Sequence, residues 1–274
     1  MRVIAPSGEN YEKINKIITK NHLKTVCSSA ACPNIGYCWE KKTATFMIMG
    51  NQCTRACNFC AIKTNKFPDP LNQNEPNNLA NSAKIMELSH IIITAVARDD
   101  LEDYGAKHFA KCINISFKKC PNASIEILTS DFLGKHEYID TVLKENPNVF
   151  NHNIETTRKL SVKIRNNSNY DRSLNILKYA KKNYPNIKTK SGIMLGLGES
   201  TSEIKETLID LKNSSVELLT IGQYLQPSLK HTKIIKYIHP SEFVSLSKFA
   251  YNLGFHHVES GPLVRSSFNA KQSF

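Results

Sequence analysis

The chain has 274 residues, 41% of them hydrophobic and 22% charged, enough apolar content for a sizeable core and too much for a disordered chain. No run approaches the ~18 consecutive apolar residues of a membrane span. The net charge is +12, from 36 Lys and Arg against 24 Asp and Glu, and it is scattered in pairs such as Lys41-Lys42, Lys118-Lys119 and Lys181-Lys182. Without a basic block, the expectation is a solvated surface or an acidic protein partner, with no nucleic acid and no membrane.

In chain order, Met1 to Ser7 is too short and too poor in Arg and Ser for a transit peptide, and no secretory leader is visible. Glu9 to Asn21 places Tyr11, Ile14, Ile17 and Ile18 at helical spacing. Pro33, Asn34 and Gly36 predict turns between Cys27 and Cys38. Thr43–Gly50 reads as a strand, Pro68, Pro70 and Pro76 as a long loop, and Leu79 to Leu88 as a helix. The apolar run His90–Val96 suits a strand buried on both faces. Helices are then expected at Ala106–Phe117, Tyr138–Lys144 and Asp171–Tyr184, and strands at Ser124–Ser130 and Val149–Glu155. Lys190–Gly196 and Leu218–Tyr224 complete the strands. Helices follow them at Ser202–Leu211, capped by Thr201 or Ser202, and at Ser241–Leu253, which stops at Gly254. Six strand–helix units without a composition break predict an α/β fold, a partial TIM-type (β/α)6 barrel. Reactive groups in such barrels sit at the C-terminal strand ends. Thr94, Ser130, Asn153, Glu155, Gly196, Gly198 and Gln223 fall there and are the expected cofactor or substrate cavity.

Six of the eight cysteines lie between Cys27 and Cys60. Cys27, Cys32 and Cys38 form C-x4-C-x5-C; Cys53, Cys57 and Cys60 form C-x3-C-x2-C within CTRACNFC. Thiolates suit zinc, copper(I) or iron–sulfur clusters. Disulfides fit a chain of this size poorly, and zinc prefers four closed ligands, usually as paired C-x2-C units. Three thiolates on a four-iron cube leave one iron open, so iron–sulfur fits best. Clustered thiols imply a reducing compartment, so a cytoplasmic location is expected. Cys112 and Cys120 read as buried small hydrophobes. With no H-E-x-x-H or G-x-S-x-G pattern, the nine histidines read as core or surface residues.

C-x3-C-x2-C with Phe59 before its last cysteine resembles the signature of the radical S-adenosylmethionine enzymes. Preceded by C-x4-C-x5-C, it resembles lipoyl synthase. The blocks CPNIGYCW, VFNHNIET, TKSGIMLGLGE, LLTIGQYLQPS and GPLVRSS carry that likeness in order, from Arg2 to Ala270. Two positions depart from the family pattern: Ala97 stands where an acid is usual, and Phe268 where a tyrosine is.

The resemblance implies two 4Fe-4S clusters and S-adenosyl-L-methionine as cofactors. It assigns Cys53, Cys57 and Cys60 to the cluster that splits S-adenosylmethionine and releases a deoxyadenosyl radical. Cys27, Cys32 and Cys38, with Ser267 as an oxygen ligand, would hold the auxiliary cluster that donates sulfur. The implied reaction is insertion of two sulfurs at C6 and C8 of an octanoyl chain on a lysine. Implied partners are an octanoylated carrier protein or lipoyl-accepting enzyme domain, and an electron donor such as ferredoxin or flavodoxin. The implied organisation is an extension over 1–42, a barrel over 43–260 and a tail over 261–274. Two other functions compete on the sequence. A methylthiotransferase would carry an RNA-binding domain after the barrel, and a ferredoxin-like carrier would not need so large a barrel.

Overall fold

The computed structural model describes residues 5–21, 23–30, 32–41 and 43–273; Arg2, His22 and Lys42 lie outside them. The chain divides into two compact units. The first contains 1–55, 61–132 and 137–148; the second contains 56–60, 133–136 and 149–274.

In the first unit, α1 (Glu9–Lys20) buries Ile14 and Ile18, with Glu9 and Glu12 in its first turn and Lys20 in its last, as the helix dipole favours. After a short strand β1 (Lys24–Thr25), the first cysteine loop turns at Pro33 and Asn34 as expected and also holds two short helices, α2 (Val26–Ser29) and α3 (Ile35–Glu40), the second taking in Gly36. Thr25 starts α2 by accepting a bond from the Ser28 N–H (3.3 Å). Then come β2 (Thr45–Ile48), β3 (Gln52–Cys53), β4 (Lys63–Thr64) and α4 (Glu75–Ile85). Pro76, expected in a loop, lies in the first turn of α4, where a missing N–H costs nothing. The unit continues with β5 (His90–Ala95), α5 (Ala106–Lys119), β6 (Ser124–Leu128) and α6 (His136–Leu143). β2, β5 and β6 run parallel in that order, with β1 antiparallel on β2. In β5, Ile91, Ile92 and Ile93 are all buried, as its unbroken apolar run requires.

One carboxylate ties this unit's layers. Glu75 accepts bonds from the Met49 N–H and from His108 Nε2, both at 2.8 Å. It thereby joins the end of β2 to α4 and α5.

The second unit holds β7 (Val149–Asn151), α7 (Arg158–Ile164), α8 (Tyr170–Asn183), β8 (Lys188–Leu195), α9 (Thr201–Asn213), β9 (Leu218–Gln223), α10 (Pro240–Asn252) and β10 (His257–Gly261). Its four strands are parallel in the order β7-β8-β9-β10. Neither α7 nor β10 was expected: both are short, and α7 has no side-chain cap bond. The cap of α9 is Ser200 rather than Thr201 or Ser202, because Glu203 completes a capping box with it. Among the described residues no helix is long and apolar enough to cross a membrane.

Gly222 of β9 faces Gly261 of β10, and a Cβ on Gly222 would run into the Val264 carbonyl. One on Gly261 would make only an ordinary contact with Val264. Gly222→Ala should therefore cost about 1–3 kcal/mol of unfolding free energy in urea titrations, whereas Gly261→Ala should change it little.

Candidate active site

Cys27 sits in α2, Cys38 in α3 and Cys32 between them, and none of the eight cysteines forms a disulfide. The Cys32 N–H donates to the Cys27 carbonyl (3.0 Å) and the Cys38 N–H to the Asn34 carbonyl (2.8 Å). Burial raises the pKa of Cys27, and the nearby Cys32 adds to the rise. Burial, then the charges of Cys27 and Cys32, push Cys38 up to about 12. Neighbouring thiolate charge thus opposes the ionisation of Cys27 and Cys38, and a cationic group among the thiols would remove that opposition.

The indole N–H of Trp39 favours the Cys27 thiolate. Among the described residues this buried N–H has no acceptor of full hydrogen-bond geometry. A cluster-bound thiolate or sulfide would supply one. The donor set fits an iron–sulfur group.

Among the described residues, no three His, Cys, Asp or Glu are grouped so as to hold a metal ion. Thiolates on the corners of a four-iron cube stand farther apart than the ligands of one ion, so a triplet arranged for a cube need not form such a group.

The second triplet divides between the units, with Cys53 in the first and Cys57 and Cys60 in the second. In the first unit, the Thr54 N–H and Oγ1 both donate to the Ala97 carbonyl at 3.0 Å, and Thr54 Oγ1 accepts the Asp99 N–H at 3.0 Å. Arg55 forms a two-pronged bond with Asp99 (2.8 and 2.9 Å) and reaches Asp131 at 2.7 Å, its side chain 5% exposed and that of Asp131 fully buried. The Arg55 N–H also points at Cys53 Sγ (3.4 Å), a donor suited to a cluster-bound thiolate. Sequence reasoning missed Arg55 and Asp131. Arg55 lies inside the motif, but nothing local to it announces its distant partners.

In the second unit, the Asn58 N–H donates to the Ile164 carbonyl (2.9 Å) and the Cys60 N–H to the Cys57 carbonyl (3.0 Å). His231 Nε2 meets the Cys60 carbonyl at 3.0 Å, and the Thr232 N–H donates to the Asn58 carbonyl at 2.9 Å. Phe59 and Ile234 both pack against the buried cluster of Ile164, Leu197 and Tyr224. The loop 225–239 is therefore attached to the backbone between Cys57 and Cys60, a link invisible in the sequence.

Of the expected cavity residues, Thr94 lies in the first unit, its Oγ1 donating to the Leu128 carbonyl (3.0 Å). Ser130, in the same unit, accepts the Phe132 N–H at 3.3 Å. The rest are in the second unit. Asn153 Nδ2 donates to Ser266 Oγ (2.7 Å), while its buried Oδ1 has no partner among the described residues. Glu155 is a left-handed non-glycine residue (φ 67°) between β7 and β8; its N–H bonds the Gly192 carbonyl and its carbonyl the Met194 N–H. Held strain of this kind concentrates at ligand sites. Burial raises the Glu155 pKa, and Arg165 partly opposes the rise.

Gly196 and Gly198 have φ of 101° and 109°, and the Glu199 carboxylate accepts the N–H groups of Gly196 and Leu197 at 2.5 and 2.9 Å. The Gln223 amide is taken up by backbone: Nε2 by the carbonyls of Leu195, Tyr224 and Lys236, and Oε1 by the Ile238 N–H. Ser267 lies half-buried in the closing tail. The structure thus brings Asn153 to Ser266 and Gly196 to Gln223.

Replacing Arg55 by Met would leave two carboxylates, one fully buried, without their cation. It should cost about 3–5 kcal/mol in urea unfolding, and Arg55→Lys less, since a point charge keeps part of the attraction but not the fork. For Glu155 the folded-state pKa is raised, so the ionised form is the costly one. That cost is absent below the unfolded-state pKa and grows as pH rises through the window up to the folded one. Glu155→Gln should therefore gain melting temperature relative to the parent as pH goes from about 4 to about 7; a constant difference would show that this carboxylate does not titrate as argued.

The Radical SAM superfamily model matches residues 47–211. A lipoyl synthase of Shouchella clausii is 49% identical over 273 residues, covering 99% of this chain and 88% of its own length. Lipoyl synthases of Geobacillus thermodenitrificans and Staphylococcus aureus are each 48% identical, covering 99% of this chain and 91% and 89% of theirs. Among solved structures, a methylornithine synthase has a TM-score of 0.60 at 15% identity, covering 93% of this chain and 79% of its own. The FeFe-hydrogenase maturase HydG of Carboxydothermus hydrogenoformans has 0.56 at 14%, covering 95% and 77%. These two likenesses concern the fold alone, and with the parallel strands above they bear out the expected α/β, partial-barrel class. Nearly half identical to such relatives over almost its whole length, the chain belongs to the lipoyl synthase family of radical SAM enzymes.

Proposed function

We propose that this chain inserts two sulfur atoms, at C6 and C8, into an octanoyl chain amide-linked to a lysine of a carrier protein or lipoyl-accepting enzyme domain. The observation that carries the reading is the pair of cysteine triplets, six thiols outside any disulfide, in a chain of this family. Cys53, Cys57 and Cys60 would hold one 4Fe-4S cluster with S-adenosyl-L-methionine at its open iron. Cys27, Cys32, Cys38 and Ser267 would hold the auxiliary one. When bound, these groups supply the electron that cleaves S-adenosylmethionine, the power to abstract hydrogen from unactivated carbons, and the sulfur itself.

The protein's share is placement. Arg55, clamped by Asp99 and Asp131, holds the turn at Cys53 and aims its own N–H at the sulfur. Thr94, Asn153, Glu155, Gly196, Gly198 and Gln223 are proposed to line or support the cofactor and substrate cavity. Gly196 and Gly198 let the backbone turn back, and Glu199 fixes that turn through two N–H groups. Residues 1–42 would serve the auxiliary cluster, 43–260 the radical chemistry and 261–274 the tail ligand. An electron donor such as ferredoxin or flavodoxin and a cytoplasmic setting belong to the same reading.

Anaerobic reaction with a short octanoyl-lysine peptide, read by mass spectrometry, should give products with one and two added sulfurs. Reconstituted protein should hold about eight irons per chain if each triplet binds a four-iron cube. Replacing Cys53, Cys57 and Cys60 by Ala should halve the iron and end deoxyadenosine release. Replacing Cys27, Cys32 and Cys38 should halve the iron, keep deoxyadenosine release and end sulfur insertion. Ser267→Ala should keep deoxyadenosine release but impair sulfur insertion; full double insertion by that variant would remove Ser267 from the ligand set. Stoichiometric zinc in the first triplet would overturn the auxiliary assignment.

A further inference from the structure

Residues 225–239 leave β9 and reach α10 without regular structure, yet they are tightly held. Thr232 is bonded to the Asn58 carbonyl through both N–H (2.9 Å) and Oγ1 (3.2 Å), and its own carbonyl accepts the Tyr224 hydroxyl at 2.8 Å. The Ile235 N–H donates to the Gly196 carbonyl (2.8 Å), and Gln223 takes both the Lys236 carbonyl and the Ile238 N–H. Ile234 packs inward against the core cluster of Ile164, Leu197 and Tyr224, on which Phe59 also packs.

This held loop carries three large, exposed apolar side chains: Leu229 is 96%, Tyr237 71% and Ile235 67% accessible. An ordered loop that turns three large apolar side chains to water marks a contact surface. The segment holds Lys230, Lys233 and Lys236 and no Asp or Glu. Lys236 is paired with Glu242 (3.0 Å), whereas Lys230 and Lys233 have no ion pair among the described residues.

We infer that this loop is the docking surface for the acidic carrier domain that presents the acyl-lysine. The inference rests on the function proposed above. Three features fit that occupant. The free positive charges complement an acidic domain, and the apolar side chains supply the desolvated centre that an interface needs. The bonds to Asn58 and Cys60 also put the bound domain beside the loop that carries Cys57 and Cys60.

The test compares the parent with Leu229→Ser/Lys230→Glu/Lys233→Glu, all exposed positions, on two substrates. One is an octanoylated lipoyl-accepting domain of acidic net charge; the other is the short octanoyl-lysine peptide. For the domain, the apparent KM should rise about tenfold or more and the parent's salt sensitivity should fall, with kcat little changed. For the peptide, sulfur insertion and deoxyadenosine release should stay as in the parent. Parent-like KM on the domain, or an equal loss on both substrates, overturns the docking assignment. If the parent adds sulfur to neither substrate, the reaction reading fails; calorimetric binding of the octanoylated domain then decides docking alone, supported by loss in the variant and overturned by retention. Salt-sensitive binding of an RNA oligomer that the variant loses, with domain KM unchanged, assigns the surface to nucleic acid and overturns the proposal.

Discussion

The structure around CTRACNFC depends on one buried guanidinium. Arg55 brings a positive charge into a place with almost no water, where the cost of removing it from solvent is several kcal/mol. Asp99 and Asp131 offset that cost, and the planar fork matches Asp99 along two bonds. Buried ion triads contribute little net stability over an apolar replacement, but the planar fork and its two carboxylates here hold one arrangement. Here the specified object is the turn at Cys53, whose sulfur receives the Arg55 N–H. A residue with looser geometry would leave that turn free to choose among conformations. The same economy appears at Glu75, where one carboxylate takes the Met49 N–H and the His108 ring.

The strand ends of the second unit add a different constraint, backbone conformation. Glu155 is held left-handed by bonds on both its N–H and its carbonyl, and Gly196 and Gly198 reach φ values that L side chains rarely adopt. A Cβ at Gly192 would press on Thr220 and Asn153. These positions place polar groups close to one another without room for larger side chains. The arrangement is dense in oriented donors and acceptors, which is what a polar ligand needs from a site prepared in advance.

The fold class, most strands and the long helices were legible, because an apolar run such as His90–Val96 or a helical spacing such as that of Ile14 and Ile18 states its burial locally. The cysteine spacings were legible for the same reason: ligand chemistry is written in residue type and interval. What could not be read was whatever depends on a distant partner. Asp131 carries no mark that Arg55 awaits it, and His231 and Thr232 carry none that they will hold Cys60 and Asn58. The helices inside the first cysteine loop were hidden by Pro33, Asn34 and Gly36, which signal turns but also suit helix starts. Ser200 was passed over as a cap because the apolar pattern begins later than the helix does.

Ala97 departs from the family's usual acid, yet its carbonyl still receives both bonds from Thr54. A carbonyl oxygen is the same whatever side chain hangs beside it. These two bonds therefore need no particular side chain at position 97, so long as the backbone path is kept. Ala97 is itself buried, so a larger side chain there must find room among its neighbours, and a change of backbone conformation would move the attachment.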